Sequence, residues 1–176
     1  MKTNTITKFR WFWAWQDEAE ETWLEEMSRS GYHLNSVGIP GIYSFIVAEP
    51  RNYVYRLDYQ TFRRKDRQEY LQLFGDAGWE HVGNVSAWQY FRKEVVPGES
   101  PEIYTDVESK AAKYRRVLAY LGFTYVLMLV ILAGRILSDD PYPWWDAVRI
   151  IYAMILVFLT YALIRTAIRV RQLKKL

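Results

Sequence analysis

Apolar positions follow two different rhythms along the chain. Up to about residue 96 they come as short alternating runs interrupted by two helical stripes, and beyond residue 116 they form two long unbroken stretches. Alternation of Phe9, Trp11, Trp13 and Trp15 with Lys8, Arg10 and Ala14 predicts a half-buried first strand, its tryptophans packed under Trp23 and Met27. Asp17 with Glu20 three positions on is capping-box spacing and predicts a helix. That helix is expected to bury Ala19, Trp23, Leu24 and Met27, to expose its glutamates, and to stop at Gly31 in the left-handed C′ position.

"YHLNSVG" and "GIYSFIVAE" read as two strands around a Gly38–Gly41 turn. "NYVYRLDYQ" follows as a strand with Tyr53, Tyr55, Leu57 and Tyr59 on one face and Arg56 and Asp58 on the other. Asp66 and Glu69 repeat the capping box, Tyr70, Leu71 and Phe74 make an apolar stripe, and Gly78 closes the second helix. "WEHVG" and "AWQYFRKEV" complete a hairpin.

The two halves echo each other. Trp23 and Tyr70, Met27 and Phe74, Gly31 and Gly78, Tyr32 and Trp79, and Tyr43 and Tyr90 all stand 47 residues apart. Strand–helix–hairpin written twice predicts an α+β fold, a ferredoxin-like sandwich with both helices on one sheet face. The expected organisation is a cytosolic domain over residues 1–96 and a linker with a juxtamembrane helix over 97–116. A first span at 117–137, a short outer loop at 138–143, a second span at 144–164 and a basic tail at 165–176 complete it. In the linker, Ser100-Pro101 has N-cap and N1 character for a helix running into the first span. Ile103, Val107, Tyr114, Val117 and Leu121 give that helix a heptad-like seam interrupted by Lys110.

"VLAYLGFTYVLMLVILAGRIL", from Val117 to Leu137, is long enough as a helix to cross a bilayer. "VRIIYAMILVFLTYALI" reaches the same length once Trp144 and Trp145 join it as interfacial residues. Lys110, Lys113, Arg115 and Arg116 precede the first span, and Arg165, Arg169, Arg171, Lys174 and Lys175 follow the second. The loop between carries Asp139, Asp140 and Asp146, so the positive-inside rule puts both termini in the cytoplasm of a multi-pass membrane protein. The polar start "MKTNTITKFRW" lacks an apolar core and predicts no secretory signal.

Charge follows the same division. Residues 1–109 hold 12 Lys and Arg against 17 Asp and Glu, whereas residues 110–176 hold 11 against 3. The acidic N-terminal part argues against nucleic acid as a partner, because phosphate binding needs positive potential there. With no cysteine, thiolate chemistry, disulfides and Cys-ligated metals are excluded. His33 and His81 lack a third ligand at metal spacing, and no phosphate loop or nucleophile motif occurs, so neither a catalytic site nor a cofactor is expected. Candidate ligand or partner contacts are Arg10, Phe12, Arg56 and Asp58 on the sheet face away from the helices. Arg63, Arg64 and Arg67 join them at the start of the second helix, where positive charge opposes the helix dipole and invites an anion.

"FWAWQDEAEETWLEEMSRSGYHL", "YVYRLDY" and "DRQEYLQLFGDAGWEHV…WQYFRK" together resemble an uncharacterised bacterial family of unknown function, over most of residues 8–93. In that family such a cytosolic domain often precedes membrane spans, and members are often encoded beside PadR-like winged-helix repressors. The resemblance implies a regulated membrane or transport stress response and no assigned site residues. The expectation is a non-enzymatic, membrane-anchored regulatory or sensory module whose cytosolic domain binds a protein or small ligand. Its partners are the lipid bilayer and a protein partner or second copy meeting the spans and juxtamembrane helix. The alternative is an accessory subunit of a transporter or of a resistance system against membrane-active compounds.

Overall fold

A strand–helix–strand–strand run occurs twice before the first long helix. The computed structural model describes residues 4–62, 65–96, 98, 102–104, 106–136 and 145–173. The first run is β1 (Thr5–Phe9), α1 (Asp17–Arg29), β2 (Tyr32–Gly38) and β3 (Ile42–Val47). The second is β4 (Tyr53–Tyr59), α2 (Asp66–Asp76), β5 (Glu80–Val85) and β6 (Trp88–Glu94). Each run makes its own three-stranded antiparallel sheet with the last strand in the centre, β1-β3-β2 and β4-β6-β5. The second strand of each carries a register shift, between Leu34 and Ser36 in β2 and between His81 and Gly83 in β5.

The sheets share one core. Leu24 and Phe45 are fully buried with Trp23, Met27, Leu34, Tyr43, Tyr55, Leu57 and Tyr90, so α1 packs on residues from both sheets. A smaller cluster of Val54, Trp79 and Phe91 lies with Tyr70, Leu71 and Phe74 of α2, and Ile103 packs against it. Residues 102–104 are not helical and return to this unit, and the next helix begins at Val107; Ser100 and Pro101 lie outside the described residues.

Two expectations about α1 fail for one reason. Glu20 and Glu21 are buried and Ala19 is exposed, because both sheets press on the helix and cover part of its polar stripe. Glu21 Oε1 accepts a hydrogen bond from the Leu57 backbone N–H at 2.8 Å, giving β4, at the edge of its sheet, a partner for that donor. Neither capping box forms. The N-caps are Gln16 and Lys65, with no side-chain cap bond at either helix. Gly31 does close α1 at φ +84, and a Cβ there would stand 2.6 Å from the Ala48 carbonyl oxygen.

Residues Met1–Asp106 form one compact unit and Val107–Leu176 another. The second contains α3 (Val107–Ile136) and α4 (Trp145–Leu173), which pack on each other. Both are long and apolar enough to cross a membrane. Tyr120, Phe123, Val130, Ile150, Met154, Val157 and Tyr161 are among many large apolar side chains they expose, a surface that suits lipid better than water. The connection at 138–143 lies outside the described residues.

Candidate functional site

A cleft of about 260 Å³ opens in the α+β unit between the β2–β3 turn, the β5–β6 turn and the segment joining β1 to α1. The joining segment takes its course from Gly41. Arg10 N–H donates to the Gly41 carbonyl at 3.0 Å, and a Cβ on Gly41 (φ +75) would stand 2.4 Å from the Arg10 carbonyl oxygen. This contact seats the chain beyond β1 on the hairpin turn. Trp13 N–H then donates to Gln16 Oε1 at 3.0 Å and Gln16 N–H to the Trp13 carbonyl at 2.8 Å, a tight turn into α1.

Because β1 ends at Phe9, alternation no longer assigns faces to residues 10–15. Phe12 turns inward against Trp23 and Tyr43, with ring centroids 5.7 and 6.4 Å apart. Trp11 and Trp13 remain 48% and 39% exposed and do not pack under Trp23 and Met27. They meet each other edge to face at 5.4 Å, and Trp15 stacks on Trp13 at 5.6 Å. Trp11, Phe12 and Trp13 form one wall of the cleft, and Val85, Ser86 and Trp88 contribute from the second sheet.

Glu20 lies among these aromatics at 6% exposure, where the hydroxyls of Tyr43 and Tyr90 both donate to its Oε1 at 2.7 Å. These are the tyrosines that stand 47 residues apart in the sequence, one from the centre strand of each sheet. Burial pushes the Glu20 carboxyl up, the tyrosine donors pull it back and Asp17 adds to the rise, leaving it above the ordinary value of 4.5. Burial and then the Glu20 charge push both phenols well above their usual range, so they remain donors. Asp17, 2% exposed, also lines the cleft, and among the described residues no Lys, Arg or His does.

A carboxyl raised in the folded state holds a proton there that the unfolded chain has released. The fold therefore gains stability as pH falls from the raised value of Glu20 toward 4.5. Glu20→Gln keeps an oxygen acceptor for the tyrosines and removes the charge. It is expected to flatten the stability–pH profile in that window and to raise stability at neutral pH by about 1 kcal/mol, read from urea unfolding at several pH values.

The residues expected to form a site do not converge. Arg10 is exposed, with its guanidinium 5.1 Å from both the Phe12 and Trp23 rings. Of the described members of the group, Phe12 alone lines the cleft. Arg56 does not share an open sheet face: it reaches Glu25 at 2.9 Å, Glu102 at 3.2 Å and Glu21 at 3.9 Å, and its side chain is 14% exposed. Burial alone would lower its pKa, but these carboxylates outweigh that and raise it. Asp58 is buried, accepting from Tyr70 Oη at 2.8 Å and from Tyr104 Oη. Arg67 is exposed in the first turn of α2, and Arg63 and Arg64 lie outside the described residues.

His33 sits in β2, its ring between Ser28 Oγ and the Glu49 carbonyl, and His81 sits in β5 against Gln89. Among the described residues no three His, Cys, Asp or Glu side chains gather as a metal site. The residues that sequence reasoning missed are Trp88, Glu20 and Asp17; the 47-residue echo of Tyr43 and Tyr90 was the signal pointing to them.

The family model described as "Protein of unknown function (DUF2812)" matches residues 16–127, and the chain belongs to that family. No curated protein and no solved structure matches the chain.

Proposed function

We propose that this member of the family is a non-enzymatic sensory module whose α+β unit takes a small ligand into the aromatic cleft while α3 and α4 hold it in a membrane. One observation carries the reading. The cleft keeps tryptophans in solvent and a carboxylate out of it, two arrangements that cost stability and that ligand binding makes good. The Lys and Arg residues flanking both apolar helices support an orientation with both termini in the cytoplasm, where the cleft meets cytosolic compounds. A PadR-like regulator encoded nearby would fit such a sensor.

Internal duplication supports the plan of the site. Both halves have the same strand order, their bulges at Leu34/Ser36 and His81/Gly83 stand 47 residues apart, and Gly31 and Gly78 close their helices at φ +84 and +81. We read the unit as a doubled strand–helix–hairpin, ferredoxin-like in the layering of helices on antiparallel sheets.

The test uses the full chain in lipid nanodiscs, screened against a small-molecule library by thermal unfolding. A ligand at a hundred times its Kd adds about 2.7 kcal/mol and raises the melting temperature by several degrees. Compounds that do so for the wild type are expected to leave a Trp13→Leu, Trp88→Leu variant unshifted. A library in which every stabilising compound acts equally on both proteins, or in which none stabilises, overturns the reading. Protease added to inverted vesicles should remove the α+β unit, and its protection there would reverse the orientation.

A further inference from the structure

We infer that the ligand of the cleft is an organic cation: a compact apolar body, aromatic or aliphatic, carrying one positively charged nitrogen. This rests on the reading of the cleft as a ligand site and specifies its chemistry.

Both parts of such a molecule find their complement. Trp11, Trp13 and Trp88 supply ring surfaces, and the face of an indole is the most attractive of the side-chain rings toward a cation. At the floor, the two tyrosine hydroxyls converge on one oxygen of Glu20, Oε1. Among the described residues no donor reaches Oε2. The arrangement holds the carboxylate still and leaves its second oxygen for an incoming N–H or quaternary centre. Asp17, one turn earlier on α1, adds a second acidic side chain to the same wall.

Among the described residues the lining holds no positive side chain beside Glu20. Arg10 rests against the Phe12 and Trp23 rings outside the lining, and its charge is felt at Tyr43 rather than at Glu20. A negative carboxylate in an apolar cleft repels anions and gains little from a neutral molecule. A cation recovers the cost of burying it. The volume of about 260 Å³ admits a mono- or bicyclic body rather than a peptide segment or a nucleotide.

Three probes with nearly the same bicyclic body and different charge isolate the effect: N-methylquinolinium (cation), quinoline (neutral above neutral pH) and quinaldate (anion). They are titrated calorimetrically into the full chain in zwitterionic nanodiscs, with empty nanodiscs to subtract partitioning. N-methylquinolinium is expected to bind about tenfold or more tighter than quinoline, with no heat from quinaldate beyond dilution. Glu20→Gln should weaken the cation about tenfold and leave quinoline unchanged, whereas Trp13→Leu should weaken both. If Glu20→Gln fails to fold, a salt titration of the wild type reads the charge instead, since the affinity of N-methylquinolinium should fall as salt rises while that of quinoline should not.

Quinoline or quinaldate binding as tightly as the cation overturns the cation assignment while the cleft stands as a ligand site. An unchanged cation affinity in Glu20→Gln does the same. Absence of binding by all three probes also overturns it, and the library screen against the tryptophan variant then decides the ligand reading separately.

Discussion

Replacing Phe45 by Ala is expected to cost about 3–5 kcal/mol, the range for emptying a buried aromatic site. Phe45 is fully buried on β3, the centre strand of its sheet. Its ring meets Trp23 of α1 edge to face at 5.7 Å and stacks beside Tyr43 at 6.4 Å. Neither side can follow the ring inward, because the strand is paired on both edges and α1 is held by the rest of the core. The cavity therefore stays largely open. The loss should appear in urea unfolding of the full chain in detergent as a lower midpoint with unchanged slope. A change below about 1 kcal/mol would mean that the core repacks. Tyr43 stands against the same ring, so the variant should also loosen the hydroxyl pair on Glu20.

The second large effect lies at Arg56. Arg56→Met preserves length and removes the charge, leaving Glu21 and Glu25 facing one another with side chains 9% and 20% exposed. Breaking a buried ion pair from one side costs about 3–5 kcal/mol, since the remaining charges lose Arg56 but not their burial, and Glu21, which keeps the Leu57 N–H, places the loss at the lower end. Glu102, 41% exposed on its side chain, adds little. The expected loss is about 3 kcal/mol, measured by the same unfolding. Adding Glu25→Gln should recover part of it, because one orphaned charge disappears. If Arg56→Met is neutral, the network is solvated and Arg56 returns as a contact open to partners.

Strands β2 to β6 were readable because each alternates or runs apolar between Gly, Pro or Asn punctuation, and α1 because Trp23, Leu24 and Met27 share one face. The α3 and α4 stretches announced themselves by unbroken apolar length. The first strand misled. "FRWFWAW" alternates, but the hydrogen-bonded pairing of β1 with β3 runs from Thr5 to Phe9 and stops there. Period-two patterning identifies inward positions only while the chain stays in a sheet.

The site was hidden for a related reason. Helical periodicity distinguishes one apolar face from the rest and says nothing of a second surface arriving from another element. Glu20 and Glu21 stood in the polar stripe of α1, where solvation is the ordinary outcome. Packing of α1 against the strands of both sheets buried part of that stripe, put Glu21 on the Leu57 amide and brought two tyrosine hydroxyls to Glu20.

Local chemistry was thus enough to specify the element order, the left-handed stops at Gly31 and Gly78 and the two membrane-length helices, because each depends on neighbours within a turn or two. Which glutamates lose water and where Arg56 finds its partners are contacts across 23 to 70 positions. Those depend on how two sheets close around one helix, which no local pattern records.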